Sequence, residues 1–169
     1  MIIIELANID DAVDYAHILN QSWKDTYKDY VSIEHIDNEF NINNLIQDFS
    51  KSLNINDELY MIKLDNKNIG ILQLGPPEDK YKSNMSGYGE ILSFHILKDF
   101  IGKGYGTIVI EFAEKRLKEL GYKHICLWVK KQNERAIRFY LKHGFKKTIY
   151  SCEETIDGAP SFVMEKHNV

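Results

Sequence analysis

Three alternate glycines, Gly102, Gly104 and Gly106, stand directly ahead of a helix-periodic segment, and this conjunction constrains the 169-residue chain more than any other feature. From Thr107 to Leu120 the apolar residues Ile108, Val109, Phe112, Ala113, Leu117 and Leu120 recur at helical spacing, and Gly121 is placed to stop the helix. Glycines at a helix entry let backbone N–H groups approach an anion, while the helix N-terminus adds unpaired donors and the positive end of its dipole. A pyrophosphate is the natural guest. A dinucleotide fingerprint needs Gly-x-Gly-x-x-Gly after an early strand, but residue 107 is threonine and the loop follows a late strand. The Gly-x-x-x-x-Gly-Lys-Ser/Thr phosphate loop is absent from the sequence.

A second block follows, running Asn133-Glu-Arg-Ala136-Ile-Arg-Phe139-Tyr140-Leu-Lys-His-Gly144-Phe145. It reads as a helix from Asn133 to His143, with Asn133 as N-cap and Gly144 just past the end. Elsewhere, strands are expected at Ile2 to Leu6, Leu59 to Leu64, Ile69 to Leu74, Glu90 to Ile96, His124 to Val129, Lys146 to Cys152 and Ser161 to Lys166. Asp10 is placed to cap a helix from Asp11 to about Tyr27, with Val13, Ala16, Leu19 (or Asn20), Trp23 and Tyr27 on one face. Ser32 opens a short second helix, and Asn43 to Leu53 forms a third. Asp65 to Asn68 and Asp157-Gly158 read as hairpin turns. Gly75 to Gly89 is a long connection without periodicity, the kind that is functional or a surface hairpin tip.

The length fits one domain over residues 1–169. No apolar run approaches a membrane span of roughly 18 residues. Met1 to Glu5 is too short for a signal segment and lacks a basic leader. Two cysteines, Cys126 and Cys152, fit no metal spacing, which favours a reduced, cytoplasmic protein. A net charge of −4 with no dominant Lys/Arg cluster argues against nucleic acid.

Three blocks together resemble the GNAT superfamily of acyl-CoA-dependent N-acyltransferases: the strand Glu90-Ile-Leu-Ser-Phe-His-Ile96, the loop Gly102-Lys-Gly-Tyr-Gly106, and the block from Asn133 to Phe145. Two positions depart from the family pattern. Ile101 stands where Gln or Arg is usual, and Lys98 where proline is often found. Because such a cradle is mostly backbone N–H, Ile101 need not abolish binding.

The resemblance implies an α/β fold with a mixed, mostly antiparallel seven-stranded sheet and helices on both faces. It implies acetyl-CoA as cosubstrate, no metal, and binding between the Glu90–Ile96 and His124–Val129 strands. Phe94, His95 and Ile96 would meet the thioester arm through backbone groups. Gly102, Lys103, Gly104, Tyr105, Gly106 and Thr107 would hold the pyrophosphate. Asn133 would bond the arm, and its sequence position supports a helix cap equally well. Lys103, Arg138 and Lys142 could reach phosphates or be ordinary surface cations. The activity implied is acetyl transfer to a primary amine by direct attack, and the alternative is a non-catalytic acyl-CoA sensor.

Tyr140 is the implied general acid, a phenol able to donate to a departing thiolate; a buried core aromatic would carry the same sequence. Glu90 is the leading base. Strand alternation puts Glu90, Leu92, Phe94 and Ile96 on one face, and His95 on the other as a competing base beside water chains. Trp23, Tyr27 and Tyr30 are acceptor-side candidates, and Trp23-Lys-Asp-Thr-Tyr27 is similar to a segment of a subset of the superfamily that includes polyamine acetyltransferases; at helical spacing Trp23 and Tyr27 are more often core packing. The 75–89 connection and the Cys152–Pro160 hairpin complete that side. Partners expected are an amine substrate, small or peptidic, and no membrane. A homodimer is left open, as is the identity of the amine.

Overall fold

The computed structural model describes residues 1–53, 57–77, 86–152 and 159–169. The Asp157-Gly158 turn and most of the 75–89 and 152–160 connections lie outside the described residues. The chain divides into two compact units, Met1–Gln73 with Ser93–Val109, and Leu74–Leu92 with Ile110–Val169.

The first unit begins with β1 (Ile2–Leu6), followed by α1 (Ala12–Tyr27), α2 (Ile33–Glu39), α3 (Ile42–Ser52), β2 (Glu58–Leu64) and β3 (Lys67–Gly75). The cap of α1 is not Asp10. A short 3-10 turn, Ile9–Asp11, precedes the helix, and Asn8 caps that turn by accepting from the Asp10 amide at 2.9 Å. The Asp11 carboxylate accepts in return from the Asn8 amide at 2.9 Å. This reciprocal pair satisfies donors that a cap at Asp10 would have left to solvent. Of the expected face, Ala16, Leu19 and Tyr27 are buried and Trp23 is half-buried, but Val13 is exposed, and Ala12 and Tyr15 are buried beside them.

Ala12, Tyr15, Ile18 and Leu19 meet Phe49 of α3, Leu59 and Met61 of β2, and Ile71 of β3 in one apolar cluster. Tyr15 and Phe49 pack with ring centroids 5.0 Å apart. Each large side chain so buried contributes about 1.5–3 kcal/mol. Ser32 and Asn41 cap α2 and α3, accepting from the amides of His35 and Asn44. β1 and β2 pair antiparallel, from Ile2 opposite Leu64 to Leu6 opposite Tyr60. Between β2 and β3, Asp65 and Asn66 both have positive φ, 47° and 66°, as a two-residue type I′ hairpin requires.

β4 (Tyr88–Ile96) crosses from the second unit into the first, and α4 (Tyr105–Glu119) crosses back. β5 (His124–Lys130), α5 (Glu134–Lys142), β6 (Lys146–Cys152) and β7 (Ser161–His167) complete the second unit. Among the described residues the strands form a seven-stranded sheet in the order β1-β2-β3-β4-β5-β7-β6. It is mixed: β4 runs parallel to β5, whereas β5–β7 and β6–β7 are antiparallel. Along α4, Val109, Ile110, Ala113 and Leu117 are fully buried, while Ile108 and Leu120 are exposed, so the stripe lies one position round from the one expected. Gly121 and Gly144 end α4 and α5 with φ of 92° and 85°, the left-handed geometry expected of them.

Candidate active site

In the first unit, β4 leads through a 3-10 turn at Lys98–Phe100 into the glycine loop. The amides of Phe100 and Ile101 bond the carbonyls of Leu97 and Lys98, at 2.9 and 3.2 Å. Backbone turns thus bring the chain into the loop at the position where Ile101 replaces the usual polar side chain. Gly102 and Gly104 have φ of 79° and 88°. A Cβ on either would meet nothing within 4 Å, so glycine is needed there for conformation, not for space.

Gly102, Lys103 and Gly104 are exposed, while Tyr105, Gly106 and Thr107 are half-buried as α4 begins. The Thr107 amide bonds the Gly104 carbonyl at 3.1 Å. No acidic residue occupies the first turn of α4. Lys103 and Lys67 both place their ammonium groups over the Phe100 ring, 5.6 and 5.4 Å from its centroid. An exposed loop at a helix N-terminus, with a lysine in it and no carboxylate in the first turn, fits an anionic ligand.

Upstream in the same unit, Phe94, His95 and Ile96 are half-buried. A Cβ at Gly70 would collide with the His95 carbonyl oxygen, so β3 depends on glycine to approach β4 there. Desolvation pushes the His95 imidazole down to about 4, which leaves it neutral near pH 7. Of the aromatic candidates, Trp23 stacks on Phe40 at 4.2 Å and meets Tyr27 at 4.7 Å. Tyr27 is buried, whereas Tyr30 is 59% exposed.

The second unit holds Glu90, Asn133 and Tyr140. Asn133 caps α5, accepting from the Ala136 amide at 3.1 Å through its side-chain oxygen. The amide nitrogen is a separate, donating end of that side chain. Seven residues on, Tyr140 is 8% exposed, with its ring edge-on to Phe139 at 5.4 Å and to Phe145 at 5.6 Å. Its carbonyl accepts from the amides of His143 and Phe145, so the same residue helps close the helix end. Arg138 pairs with Glu134 at 3.0 Å along the exposed side of α5.

Glu90 is only 4% exposed. Its partner in the β4–β5 register is Cys126. Burial, then the Glu90 and Glu165 carboxylates, push the Cys126 thiol up, which makes it a poor nucleophile. Gly89, one residue earlier, faces Leu117 and Tyr122, where a Cβ would come within 2.8 Å of both side chains. The opposite sheet face carries features not visible in the sequence: Tyr88 donates to Glu165 at 3.0 Å, and Glu165 pairs with His167 at 3.0 Å. The only sequence signal for them is the alternation of β7, which is unreadable without its register against β5. Among the described residues, no group of three or more His, Cys, Asp or Glu is placed to hold a metal. No helix among them is long and apolar enough to cross a membrane.

A family model described as the acetyltransferase (GNAT) family matches residues 14–145. The spermidine N(1)-acetyltransferase of Thermoplasma acidophilum is 29% identical over 172 residues, covering 96% of this chain and 95% of its own. The uncharacterized N-acetyltransferase YuaI of Bacillus subtilis is 25% identical over 141 residues, covering 83% of this chain and 78% of its own. Among solved structures, the PaiA N-acetyltransferase of Thermoplasma acidophilum in complex with coenzyme A superposes with a TM-score of 0.76 at 24% identity, over 99% of each chain.

Proposed function

The chain belongs to the acetyltransferase (GNAT) family and is an acyl-CoA-dependent N-acetyltransferase. On that premise we propose that it moves the acetyl group of acetyl-CoA to a primary amine by direct attack, with Glu90 as general base and Tyr140 as general acid. The amine nitrogen bonds the thioester carbonyl carbon while its proton passes to Glu90, directly or through water. The tetrahedral intermediate then collapses, the C–S bond breaks, and the Tyr140 hydroxyl gives its proton to the departing sulfur.

The observation that carries this reading is that one compact unit holds both a buried carboxylate at Glu90 and a buried tyrosine at Tyr140. A carboxylate suits the base that must take the proton the amine nitrogen loses before or during attack. His95 is the weaker rival. At about 4 its imidazole holds a proton poorly, and near neutral pH it would give one up at once.

For acetyl-CoA itself, the loop Gly102, Lys103, Gly104, Tyr105, Gly106 and Thr107 takes the pyrophosphate. Phe94, His95 and Ile96 offer backbone groups to the arm, and Asn133 offers its side-chain nitrogen. The support is the loop's exposure, its two positive-φ glycines and the absence of acid in the first turn of α4.

The acceptor is a cationic primary amine of the polyamine kind, a reading supported by the spermidine-acetylating relative. Trp23, Tyr27 and Tyr30 are the proposed acceptor residues: Tyr30 has an exposed ring for a cation, while Trp23 and Tyr27 pack against each other at the end of α1. The test is mass-spectrometric detection of acetylated product from acetyl-CoA with spermidine, an aminoglycoside, a peptide N-terminus, a lysine peptide and free amino acids. Preferential acetylation of spermidine, abolished by Glu90→Gln, supports the reading. Preference for a neutral or peptidic acceptor contradicts the polyamine assignment, and full activity in Glu90→Gln contradicts the base.

A further inference from the structure

One face of the second unit's sheet carries two rows of ionisable side chains, of which the catalytic scheme uses Glu90 alone. Alternation and register put Tyr88, His124 and His167 in one row, from β4 through β5 to β7. The adjoining row is Glu90, Cys126 and Glu165, with Lys146 of β6 opposite Glu165. The first row is closely packed: Tyr88 and His124 lie 4.9 Å apart between ring centroids, as do His124 and His167. The rows are joined through Glu165, which accepts from Tyr88 at 3.0 Å and pairs with His167 at 3.0 Å. Tyr88 also lies 3.4 Å from His167, and the Asn168 amide donates to His124 at 3.4 Å.

Glu90 and Glu165 therefore flank one buried thiol from opposite sides. Two inter-strand spacings separate their backbones, about 10 Å. Over that distance, through a buried thiol, two carboxylates repel measurably. We propose that Glu165 is a positioning residue that sets the proton affinity of Glu90 from across Cys126, and that Tyr88 and His167 regulate how much negative charge Glu165 presents. The proposal rests on the reading of Glu90 as base for its catalytic meaning, but not for its electrostatic content.

Each residue then has a sign. The Glu165 charge makes Glu90 a stronger base. The Tyr88 hydrogen bond withdraws part of that charge, and burial together with this bond raises the Tyr88 phenol to about 12, so it remains a donor across the working range. His167 reaches solvent and opposes the charge whenever it is protonated. Lys146 acts in the same sense from the edge strand, while Tyr150 couples electrostatically to Tyr88.

The test is a carboxyl-carbon NMR titration of Glu90 in the whole protein, its resonance assigned by its loss in Glu90→Gln, alongside the pH profile of kcat/KM. Glu165→Gln is expected to lower the Glu90 midpoint by about half a unit to one unit. Tyr88→Phe is expected to raise it, and a merely structural disturbance would not give opposite signs. Midpoints unmoved in both folded variants, or moved in the same direction, overturn the proposal. If the midpoint moves as expected while the acidic limb of kcat/KM stays fixed, the electrostatic proposal holds and the base assignment fails.

Discussion

Glu90 and Cys126 stand opposite one another in the parallel β4–β5 register, and the carboxylate is among the causes that keep the thiol protonated. Cys126 is also buried, with its sulfur 3.7 Å from the Gly89 carbonyl. A thiol reagent at pH 8 should therefore modify Cys152 well ahead of Cys126 in the folded protein, and both together once the chain is unfolded. Peptide mapping after a timed alkylation reads the difference. Equal rates at the two cysteines would place the Cys126 thiol outside the environment described.

Gly70 serves a different need, close approach of backbone. Its missing Cβ makes room for the His95 carbonyl oxygen, and neither partner can swing aside as a side chain would. Gly70→Ala should destabilise the protein by about 1–3 kcal/mol, the range for overpacked cores. Urea unfolding with an unchanged m-value is the measurement.

The glycine loop should respond in another way. Gly104 has room for a Cβ but holds a φ of 88°. Gly104→Ala should cost roughly 1–3 kcal/mol if the loop keeps its shape. Where the loop relaxes instead, acetyl-CoA affinity should fall about tenfold or more, equivalent to about 1.4 kcal/mol. Calorimetry with acetyl-CoA, paired with thermal unfolding of the free protein, separates the two.

His95 gives the protein an acid-side weakness. The unfolded imidazole binds a proton near 6.5, the folded one only near 4, so stability is present above about 6.5 and is lost as pH falls toward about 4. The loss is at most about 3 kcal/mol. In His95→Gln this part of the slope should vanish, whatever the variant's absolute stability. Unfolding free energies at four or five pH values between 4 and 7 check it.

The fold was legible where local chemistry decides. Alternation, helical spacing and the two terminating glycines located every strand and α-helix of the described residues to within a few positions, but neither 3-10 turn. The exceptions have physical causes. Asn8 displaced Asp10 as cap because a 3-10 turn intervenes, and a turn of three residues leaves no periodic trace. The α4 stripe shifted because Ile108 and Ile110 are equally apolar, and only the packed sheet decides which one is buried.

Of the candidate site, the glycine loop could be named from its residues and helix entry, whereas the roles of Asn133 and Tyr140 could be named only through the family resemblance of the 133–145 block. Glu165, Tyr88 and His167 could not. Their meeting depends on the β5–β7 register, with 77 residues separating Tyr88 from Glu165. Gly70 likewise needs its neighbour strand before its role can be read.

The central claim is that Tyr140 protonates the departing sulfur, and steady-state kinetics of Tyr140→Phe with acetyl-CoA and the best amine test it most directly. The ring is retained, so packing against Phe139 and Phe145 survives and the dissociation constant for acetyl-CoA should change less than about threefold. kcat should fall about 100-fold, the lower end for loss of a general acid. A variant that binds acetyl-CoA normally and turns over at the wild-type rate would contradict the account.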